Sequence, residues 1–310
     1  MAETKPQSRL FRIWDSDVAA SFRRSPVAIV SGVVALVIVL AAIFAPWIAP
    51  TNPYDPSSLN LMDGFTPPMQ PNAFTGNSYL MGTDNQGRDV FSTILYGARI
   101  SLFVGMSAVL LAMVLGISAG LVAGYRGGWV DAVLMRVADV QLSFPSILIA
   151  LLIFGVARGI IPPTQRETMA IWVLIVAIGL SDWVQFARVV RGATMVEKGK
   201  EYVQAARVIG VSPLRILIRH ILPNVMGPVL VIATISVALA IIAEATLSFL
   251  GVGVPPTQPS LGTLIRIGQQ YLFSGEWWIL LFPALTLLAL ALSVNMLGDW
   301  LRDALNPRLR

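Results

Sequence analysis

Six long apolar runs, separated by polar segments, dominate the pattern of the chain. They cover residues 27–48, 101–123, 142–161, 169–187, 225–249 and 277–296. A helix that crosses the hydrocarbon core of a bilayer needs about 20 mostly apolar residues, and each run is close to that length. Because lipid offers the backbone no hydrogen-bond partners, such spans fold as helices. The pattern therefore predicts an all-α integral membrane protein with six transmembrane helices.

The composition agrees with this pattern. The 310-residue chain is 55% hydrophobic and 13% charged, whereas soluble proteins carry about 25% charged residues. The chain has no cysteine, which excludes disulfides, thiolate metal ligands and a cysteine nucleophile. Residues 1–26 are too long and too charged for the n-region of a signal peptide, so the first apolar run is expected to be a retained span.

Basic residues are distributed unevenly between the two sides of the predicted bundle. With six spans, both termini and the loop at 188–223 share one side, and that side holds all but five of the 22 Lys and Arg residues. Cytoplasmic loops are enriched in basic residues. Both termini are therefore expected in the cytoplasm, and the segments 50–99 and 251–276 are expected outside. The five basic residues on the outer side are Arg88, Arg99, Arg158, Arg166 and Arg266.

Two amphipathic segments outside the apolar runs are expected to lie at the membrane surface. Residues 1–26 form a predicted cytoplasmic tail with an interfacial elbow helix, and residues 27–310 form the transmembrane domain. The stretch 260–273 predicts a short amphipathic helix at the outer interface. Asp84 and Asp89 flank Gly87 but lack the ligand spacing of a calcium loop, so they are interpreted as parts of a turn.

The loop "KGKEYVQAARVIGVSPLRILIRHILP" at 198–223 has the pattern of helix, break and helix. A polar helix is predicted from Glu197 to Ile209, and Gly210 ends it, because glycine readily adopts the left-handed conformation after a helix. Ser212 is a candidate N-cap and Pro213 suits the first helical position. Pro223 and Pro228 are expected to mark the bend into the fifth span.

Two interpretations of this loop remain open from the residues alone. A solvated basic loop that touches anionic lipid headgroups would account for its charge. A helix that docks into a partner and passes force to the spans would account for its punctuated shape, which lipid attraction does not require.

The chain offers little of the chemistry that an enzyme needs. No phosphate-binding G-x-x-x-x-G-K-[ST] sequence occurs, and His220 is the only histidine, which excludes a Ser-His-Asp triad and a zinc-protease motif. His220 is interpreted as a structural interface residue or as a docking hydrogen-bond donor. Glu244 lies deep in an apolar run, where a carboxyl group is costly and suggests a function. It would either line a translocation path or form a structural contact across the bundle.

Several stretches of the sequence resemble one transporter family. "QAARVIGVSPLRILIRHILP" is similar to the coupling-helix motif of ABC importer permeases, and Ala205, Ala206, Gly210, Leu222 and Pro223 match it. Gln204 stands where that motif has Glu, and His220 stands where it has Ile. The stretches 81–102, 124–145, 243–265 and 297–310 are similar to the dipeptide/oligopeptide/nickel branch of the family, and within it to the C-type permease subunit.

The resemblance implies a type I ABC importer permease fold and a set of partners. These are a second permease subunit in a heterodimer, two ATP-binding subunits that hold ATP and Mg, and a periplasmic substrate-binding protein. This chain would carry no catalytic site, metal or cofactor of its own, and would reside in the bacterial inner membrane as a pathway for di- or oligopeptides. The residues expected to dock the ATPase subunits are Glu201, Gln204, Ala205, Ala206, Gly210, Ser212 and Pro213.

Other solutes and another mechanism remain alternatives. Members of the same branch import nickel, glutathione and other small solutes. A proton-coupled secondary transporter, with Glu244 as the proton site, would require buried acidic pairs and an inverted repeat, neither of which is evident in the sequence. Gly105, Gly116 and Gly120 in the second span would permit close helix contact.

Overall fold

The computed structural model of the chain describes residues 17–55, 57 and 59–304. These residues form α-helices joined by turns and short 3₁₀ segments, and the described ranges contain no β-strand. The first helices are α1 (Asp17–Arg24), α2 (Pro26–Ile43), α3 (Ala45–Ile48), α4 (Val90–Arg126), α5 (Gly128–Leu142) and α6 (Ser146–Ile160). The remaining helices are α7 (Arg166–Glu197), α8 (Glu201–Val208), α9 (Pro213–Arg215), α10 (Leu222–Phe249), α11 (Leu261–Gln269) and α12 (Trp278–Ala304).

Five helical stretches within the described residues are long and apolar enough to cross a membrane. They are α2, α4, α7, the continuous stretch Pro213–Phe249 and α12. The prediction of an all-α membrane protein is confirmed. Some helices extend beyond the apolar runs that predicted them. Helix α4 begins at Val90, before the run at 101–123, and α7 continues to Glu197, past the run at 169–187.

The third predicted span, at 142–161, differs from the structure. Its helix, α6, has 15 residues, which is about 22 Å at 1.5 Å per residue and shorter than the hydrocarbon core. The preceding α5 meets α6 at a bend of 96°, and only the two together are long and apolar enough for a span, which is then either a broken span or a re-entrant loop. Pro145 explains the break, since proline disfavours helical geometry in the residue before it.

The most extensive contact between helices pairs α4 with α7. Gly116, Gly120 and Gly124 recur every four residues along α4 and face α7. A Cβ atom at Gly120 would lie 2.5 Å from the carbonyl oxygen of Ala187. The two backbones therefore touch, and packing is the role that the structure assigns to these glycines.

Two ion pairs hold α5 against α7. Arg191 donates from Nε to Asp131 Oδ1 at 2.5 Å and from Nη2 to Asp131 Oδ2 at 2.7 Å. Arg188 bonds Asp139 at 2.5 Å. The first pair is half-buried and bidentate, which makes it the stronger and more directional of the two.

The helix contacts divide the loops between two ends of the bundle. At one end, Gly124 of α4 lies against Thr194 of α7, so the α4–α5 junction and the loop after α7 are neighbours. The ring of Phe22 on α1 packs against Trp300 near the end of α12, with 5.0 Å between ring centroids. The opposite end carries the segment before α4, the α6–α7 junction and the loops on both sides of α11. We call it the outer end, after the side of the membrane that the sequence predicts for these segments.

The segment before α4 at the outer end is organised around a buried carboxylate. Asp63 is 1% exposed and accepts hydrogen bonds from the side chains of Thr75, Asn77 and Tyr79. Further along, Asp84 pairs with Arg88 at 2.6 Å, with both side chains buried. Asp89 caps α4 by accepting from the Ser92 backbone N–H at 2.9 Å. Asp84 and Asp89 are thus engaged within their own loop, as a turn requires.

The stretch 260–273 contains the predicted short amphipathic helix, α11 at the outer end, but one face of that helix packs into the protein. Leu261, Gly262 and Leu264 of α11 are buried among α4, α10 and α12. A Cβ atom at Gly262 would lie 2.3 Å from the Ala245 carbonyl oxygen, so this helix touches the backbone of α10. The amphipathic pattern thus marks a helix with one face packed into the protein. Leu10, Ile13 and Trp14, which belong to the predicted elbow segment at 1–26, lie outside the described residues.

Replacing Gly120 with alanine should destabilise the protein by about 2 kcal/mol, because the added methyl overlaps the α7 backbone. Thermal unfolding of the detergent-solubilised protein measures the change. Gly155→Ala is the matched control, since its added Cβ atom would meet no heavy atom within 4 Å. Equal melting temperatures for the two variants would contradict the close packing.

Replacing Asp63 with asparagine should expose the segment 50–89 to protease, because an amide cannot accept from three donors at once. Burial alone would raise the pKa of Asp63, but the hydrogen bonds from Thr75, Asn77 and Tyr79 outweigh it and hold the pKa below the usual 3.8. The ionised form therefore stabilises the fold above that pH, and the contribution is lost as pH falls below it. Limited proteolysis at neutral pH and with pepsin at acid pH tests both points. Asp303→Asn, at an exposed site near the end of α12 and outside the probed segment, makes the same change of side chain and should leave cleavage of 50–89 unchanged.

Candidate functional site: the coupling segment and the Glu244 cluster

The loop after α7, residues 198–223, is here called the coupling segment. Its first helix begins later than the sequence indicated, at Glu201 rather than Glu197. Helix α7 continues through Glu197, and the chain then turns at Lys198–Lys200, with the Lys200 N–H bonding the Glu197 carbonyl at 3.1 Å. Gly199 lies in this turn, where a helix interior would disfavour it. Helix α8 is thus separated from α7 by a tight corner.

Gly210 ends α8 as predicted. Its φ of +81° lies in the left-handed region, and two reversed hydrogen bonds close the end of the helix. The Val211 N–H bonds the Ala206 carbonyl and the Gly210 N–H bonds the Arg207 carbonyl, both at 3.0 Å. This pair of bonds is the Schellman motif, and it fixes the angle between α8 and the following stretch.

The second half of the coupling segment leads into α10 without a loop. Ser212 stands at the N-cap position and Pro213 at the first helical turn, but the Ser212 side chain makes no capping hydrogen bond. Residues Ile216–Ile221 form a π-helical turn, in which the Leu222 N–H bonds the Leu217 carbonyl five residues back. Pro223 follows directly, and the wider turn accommodates the hydrogen bond that proline cannot make.

The two faces of α8 have different environments. Val203 and Ala206 are buried against the bundle. The other residues predicted to dock a partner are exposed, namely Glu201, Gln204, Ala205, Gly210, Ser212 and Pro213. Apolar side chains accompany them: Val208 is 87%, Ile209 77% and Leu214 66% exposed. The corner between α8 and α9 therefore presents an apolar tip that this chain leaves uncovered.

Polar contacts clamp the coupling segment to the helices behind it. The Tyr202 hydroxyl donates to Glu197 at the end of α7 and accepts from Asn224 at the start of α10, at 3.1 Å. Burial, followed by the hydrogen bond to Glu197, raises the pKa of Tyr202 to about 12. Tyr202 therefore stays protonated and can donate at any physiological pH. The residue joins the two spans that flank the segment.

The end of α4 supports the same segment from the other side. Lys198 Nζ donates to the Gly124 carbonyl at 2.8 Å, and the Arg207 guanidinium stacks 4.9 Å from the centre of the Tyr125 ring. The His220 ring is 3.5 Å from the Arg215 carbonyl, and its own carbonyl accepts from Asn224 at 2.7 Å. These contacts fit the structural interpretation of His220.

Glu244, the intramembrane carboxyl residue, is completely buried. Ser101 of α4 donates to its Oε2 and Ser248 of α10 donates to its Oε1, both at 2.7 Å. Each serine in turn accepts a backbone N–H from the outer end, Leu261 at 3.2 Å for Ser101 and Val254 at 3.2 Å for Ser248. These five residues are called the Glu244 cluster.

The Glu244 cluster joins α4, α10 and the loop before α11 through one carboxyl group. Sequence analysis identified Glu244 but not its partners, because Ser101 lies 143 positions away. Both carboxyl oxygens are occupied by serines and the side chain meets no solvent. Of the two roles open from the sequence, this geometry supports the structural contact, while a place on a translocation path stays a prediction.

Replacing Glu244 with alanine should destabilise the protein by about 3 kcal/mol, since two buried hydroxyls lose their acceptor and a cavity opens. Glu244→Gln retains a carbonyl oxygen and should cost less. Thermal unfolding of both variants, compared with solute uptake at a temperature where both stay folded, separates the two roles. Full uptake by the folded glutamine variant supports the structural contact, whereas abolished uptake without loss of stability supports a place on the path.

Comparisons with known proteins agree on one family. A family model described as "Binding-protein-dependent transport system inner membrane component" matches residues 116–310. A second model, "N-terminal TM domain of oligopeptide transport permease C", matches residues 13–68. The two matches together include the coupling segment, Glu244 and the first span.

Curated relatives cover nearly the whole chain. The oligopeptide transport system permease protein OppC of Bacillus subtilis (strain 168) is 37% identical over 306 residues, which is 99% of this chain and 93% of that protein. The di/tripeptide transport system permease protein DppC of Pseudomonas aeruginosa (strain UCBPP-PA14) is 38% identical over 89% of this chain and 86% of that protein. The dipeptide transport system permease protein DppC of Haemophilus influenzae is 36% identical over 93% of each chain.

A solved structure shares the fold. It is an inward-facing conformation of the MetNI methionine ABC transporter, with a TM-score of 0.52 and 19% identity over 69% of this chain and 96% of the other. The type I ABC permease fold implied by the sequence is therefore confirmed. With its apolar spans and these relatives, the chain belongs to the binding-protein-dependent transport system inner membrane components, a family of ABC transporter permeases.

Proposed function

We propose that the chain forms half of a peptide pathway across the bacterial inner membrane and that ATP hydrolysis in partner subunits drives it through the coupling segment. The observation that carries this proposal is the apolar tip of Val208, Ile209 and Leu214. A tip this exposed is typical of a surface that a partner covers. The tip adjoins α8, and Tyr202 of α8 is hydrogen-bonded to the ends of α7 and α10. Force applied at the tip would therefore be transmitted to both spans.

The buried face of α8 also supports a mechanical role. Val203 and Ala206 anchor the helix in the hydrophobic core that includes Ile216 and Val225. A segment that only attracted lipid headgroups would need exposed Lys and Arg but no buried anchor and no fixed corner. In the proposed mechanism, closure of two ATP-binding subunits moves α8, and α7 and α10 move with it.

The partners follow from the proposed mechanism. Two ATP-binding subunits would hold ATP and Mg, a second permease subunit would complete a heterodimer, and a substrate-binding protein would dock at the outer end. This chain would contribute no catalytic residue. Its termini and the loop 188–223 would face the cytoplasm, and the segments 50–99 and 251–276 would face the periplasm, with residues 1–26 as a tail and 27–310 as the permease domain.

Di- and oligopeptides are the proposed substrates, because the relatives that cover most of the chain are named as peptide permeases. Uptake of a labelled dipeptide into proteoliposomes that hold the assembled transporter and its binding protein tests this directly. Nickel and glutathione, supplied at the same concentrations, are the competing substrates. Uptake of either without dipeptide uptake would contradict the proposal.

Replacing Val208 with aspartate should abolish substrate-stimulated ATP hydrolysis or copurification of the ATPase subunits, because a charge would enter an apolar interface. Val208 is 87% exposed, so the permease itself should keep its melting temperature. Ala206→Asp would be a poorer probe, since Ala206 is 4% exposed and the change would disrupt the fold of the chain itself.

Ser274→Asp is the matched control, because it places the same charge at an exposed site at the opposite end of the bundle. It should leave copurification of the ATPase subunits and ATP hydrolysis in the absence of the binding protein unchanged. Normal coupling in Val208→Asp would show that the apolar tip is not the docking surface. Uptake that follows a proton gradient in the absence of ATPase subunits would contradict the proposed energy source.

A further inference from the structure

A cavity of about 290 Å³ opens at the outer end of the bundle. It lies between the end of α6, the start of α7, the loop after α10 and α11. Its volume is at the lower limit of small-molecule sites, so it suits a small solute or one end of a larger solute. Nothing described above uses it.

Three arginines line this cavity, Arg158 from α6, Arg166 from α7 and Arg266 from α11. Glu167 is the one acidic residue in its wall. Within residues 17–55, 57 and 59–304, none of the three arginines forms a salt bridge. The cavity therefore carries an excess of positive charge that the described part of the protein does not neutralise.

The local backbone holds two of these guanidinium groups in place. Arg166 Nε donates to the Ile161 carbonyl at 3.1 Å, which leaves its other nitrogens for the cavity. The Arg266 guanidinium packs directly over Gly251, where a Cβ atom would lie 2.7 Å from one terminal nitrogen. Gly251 has a φ of +80° and ends α10. Only glycine meets both demands, the left-handed backbone and the stacked guanidinium.

The remaining walls of the cavity are apolar. Phe154, Ala170 and Val254 are buried and form its floor, and Ile161, Val173 and Pro255 also line it. A guanidinium binds a carboxylate with paired, charge-assisted hydrogen bonds. Apolar walls beside such groups match a molecule that has a carboxylate and an apolar side chain on neighbouring atoms, which is the C-terminal residue of a peptide.

We propose that this arginine cavity binds the free C-terminal carboxylate of the transported peptide, with the terminal side chain against the apolar walls. The inference rests on the proposed function and adds a substrate contact to it. Glu167, in the wall of the same cavity, would attract the ammonium group of the peptide. Docking of acidic side chains from a binding protein is the competing explanation, but it would need only exposed guanidinium groups and not the recessed apolar floor.

The test uses the assembled transporter in lipid nanodiscs, without binding protein, and tritiated alanyl-leucine as the probe. The double variant Arg158→Gln, Arg266→Gln should weaken dipeptide binding by about tenfold or more, since it removes two charged donors. The C-terminal amide of the same dipeptide should bind wild type about tenfold more weakly than the acid, and the variant should no longer distinguish the two. Arg99→Gln, at an exposed outer arginine outside the cavity, is the control and should bind as wild type.

Three results would overturn the inference. These are no measurable dipeptide binding to wild type, equal dipeptide binding by wild type and the double variant, and, in a second measurement with the binding protein added, a double variant that loses affinity only for the binding protein. The last result would assign the cavity to docking of the binding protein.

Uptake assays separate this inference from the function on which it rests. Dipeptide uptake with an unchanged KM in the double variant overturns the cavity alone, whereas absence of dipeptide uptake by wild type, with ATP hydrolysis intact, overturns the proposed substrate and the cavity together.

Discussion

The backbone contact between α4 and α7 is the interaction on which the rest of the structure depends. Gly116, Gly120 and Gly124 let two long spans, α4 and α7, touch along one face. In lipid, association of helices gains nothing from hydrophobic burial, so close van der Waals packing must supply it. The contact also brings the end of α4 next to the end of α7. At the end of α4, the Gly124 carbonyl accepts from Lys198 and the Tyr125 ring packs against Arg207. These contacts fix the position of the coupling segment and of its exposed apolar tip.

Hydrogen-bond networks of two kinds join the helices at the two ends of the bundle. At the end that carries the coupling segment, exposed or half-buried polar contacts around Tyr202 join three helices. At the outer end, the fully buried Glu244 cluster does so. Buried hydrogen bonds to a carboxyl group resist opening more than solvated ones, because a broken bond leaves a polar group without water. The coupling end is thus the more adaptable of the two.

Sequence patterns identified those parts of the structure that depend on neighbouring residues. The length of an apolar run predicts a span because every residue of the run must be compatible with lipid. Gly210 predicts a helix end because its left-handed backbone conformation depends on that residue alone. Ser101 could not be paired with Glu244, since packing alone brings them together. The third predicted span, 142–161, coincides with α6 but missed α5, because α5 carries charged residues and so does not belong to the apolar run. The amphipathic pattern of α11 did not show that one face packs into the protein, because the pattern does not distinguish lipid from a protein neighbour.

The length of α4 has a geometric consequence. Its 37 residues form one uninterrupted helix, about 55 Å long at 1.5 Å per residue. The helix begins at the Asp89 cap beside the folded outer segment and ends where Lys198 and Arg207 rest on it. A rigid rod of that length converts a tilt of about 5° into a displacement of about 5 Å at its far end. Because α4 contains neither a proline nor a break, a rotation about one end displaces the other end as a unit, so the helix can carry a small movement from one membrane surface to the other.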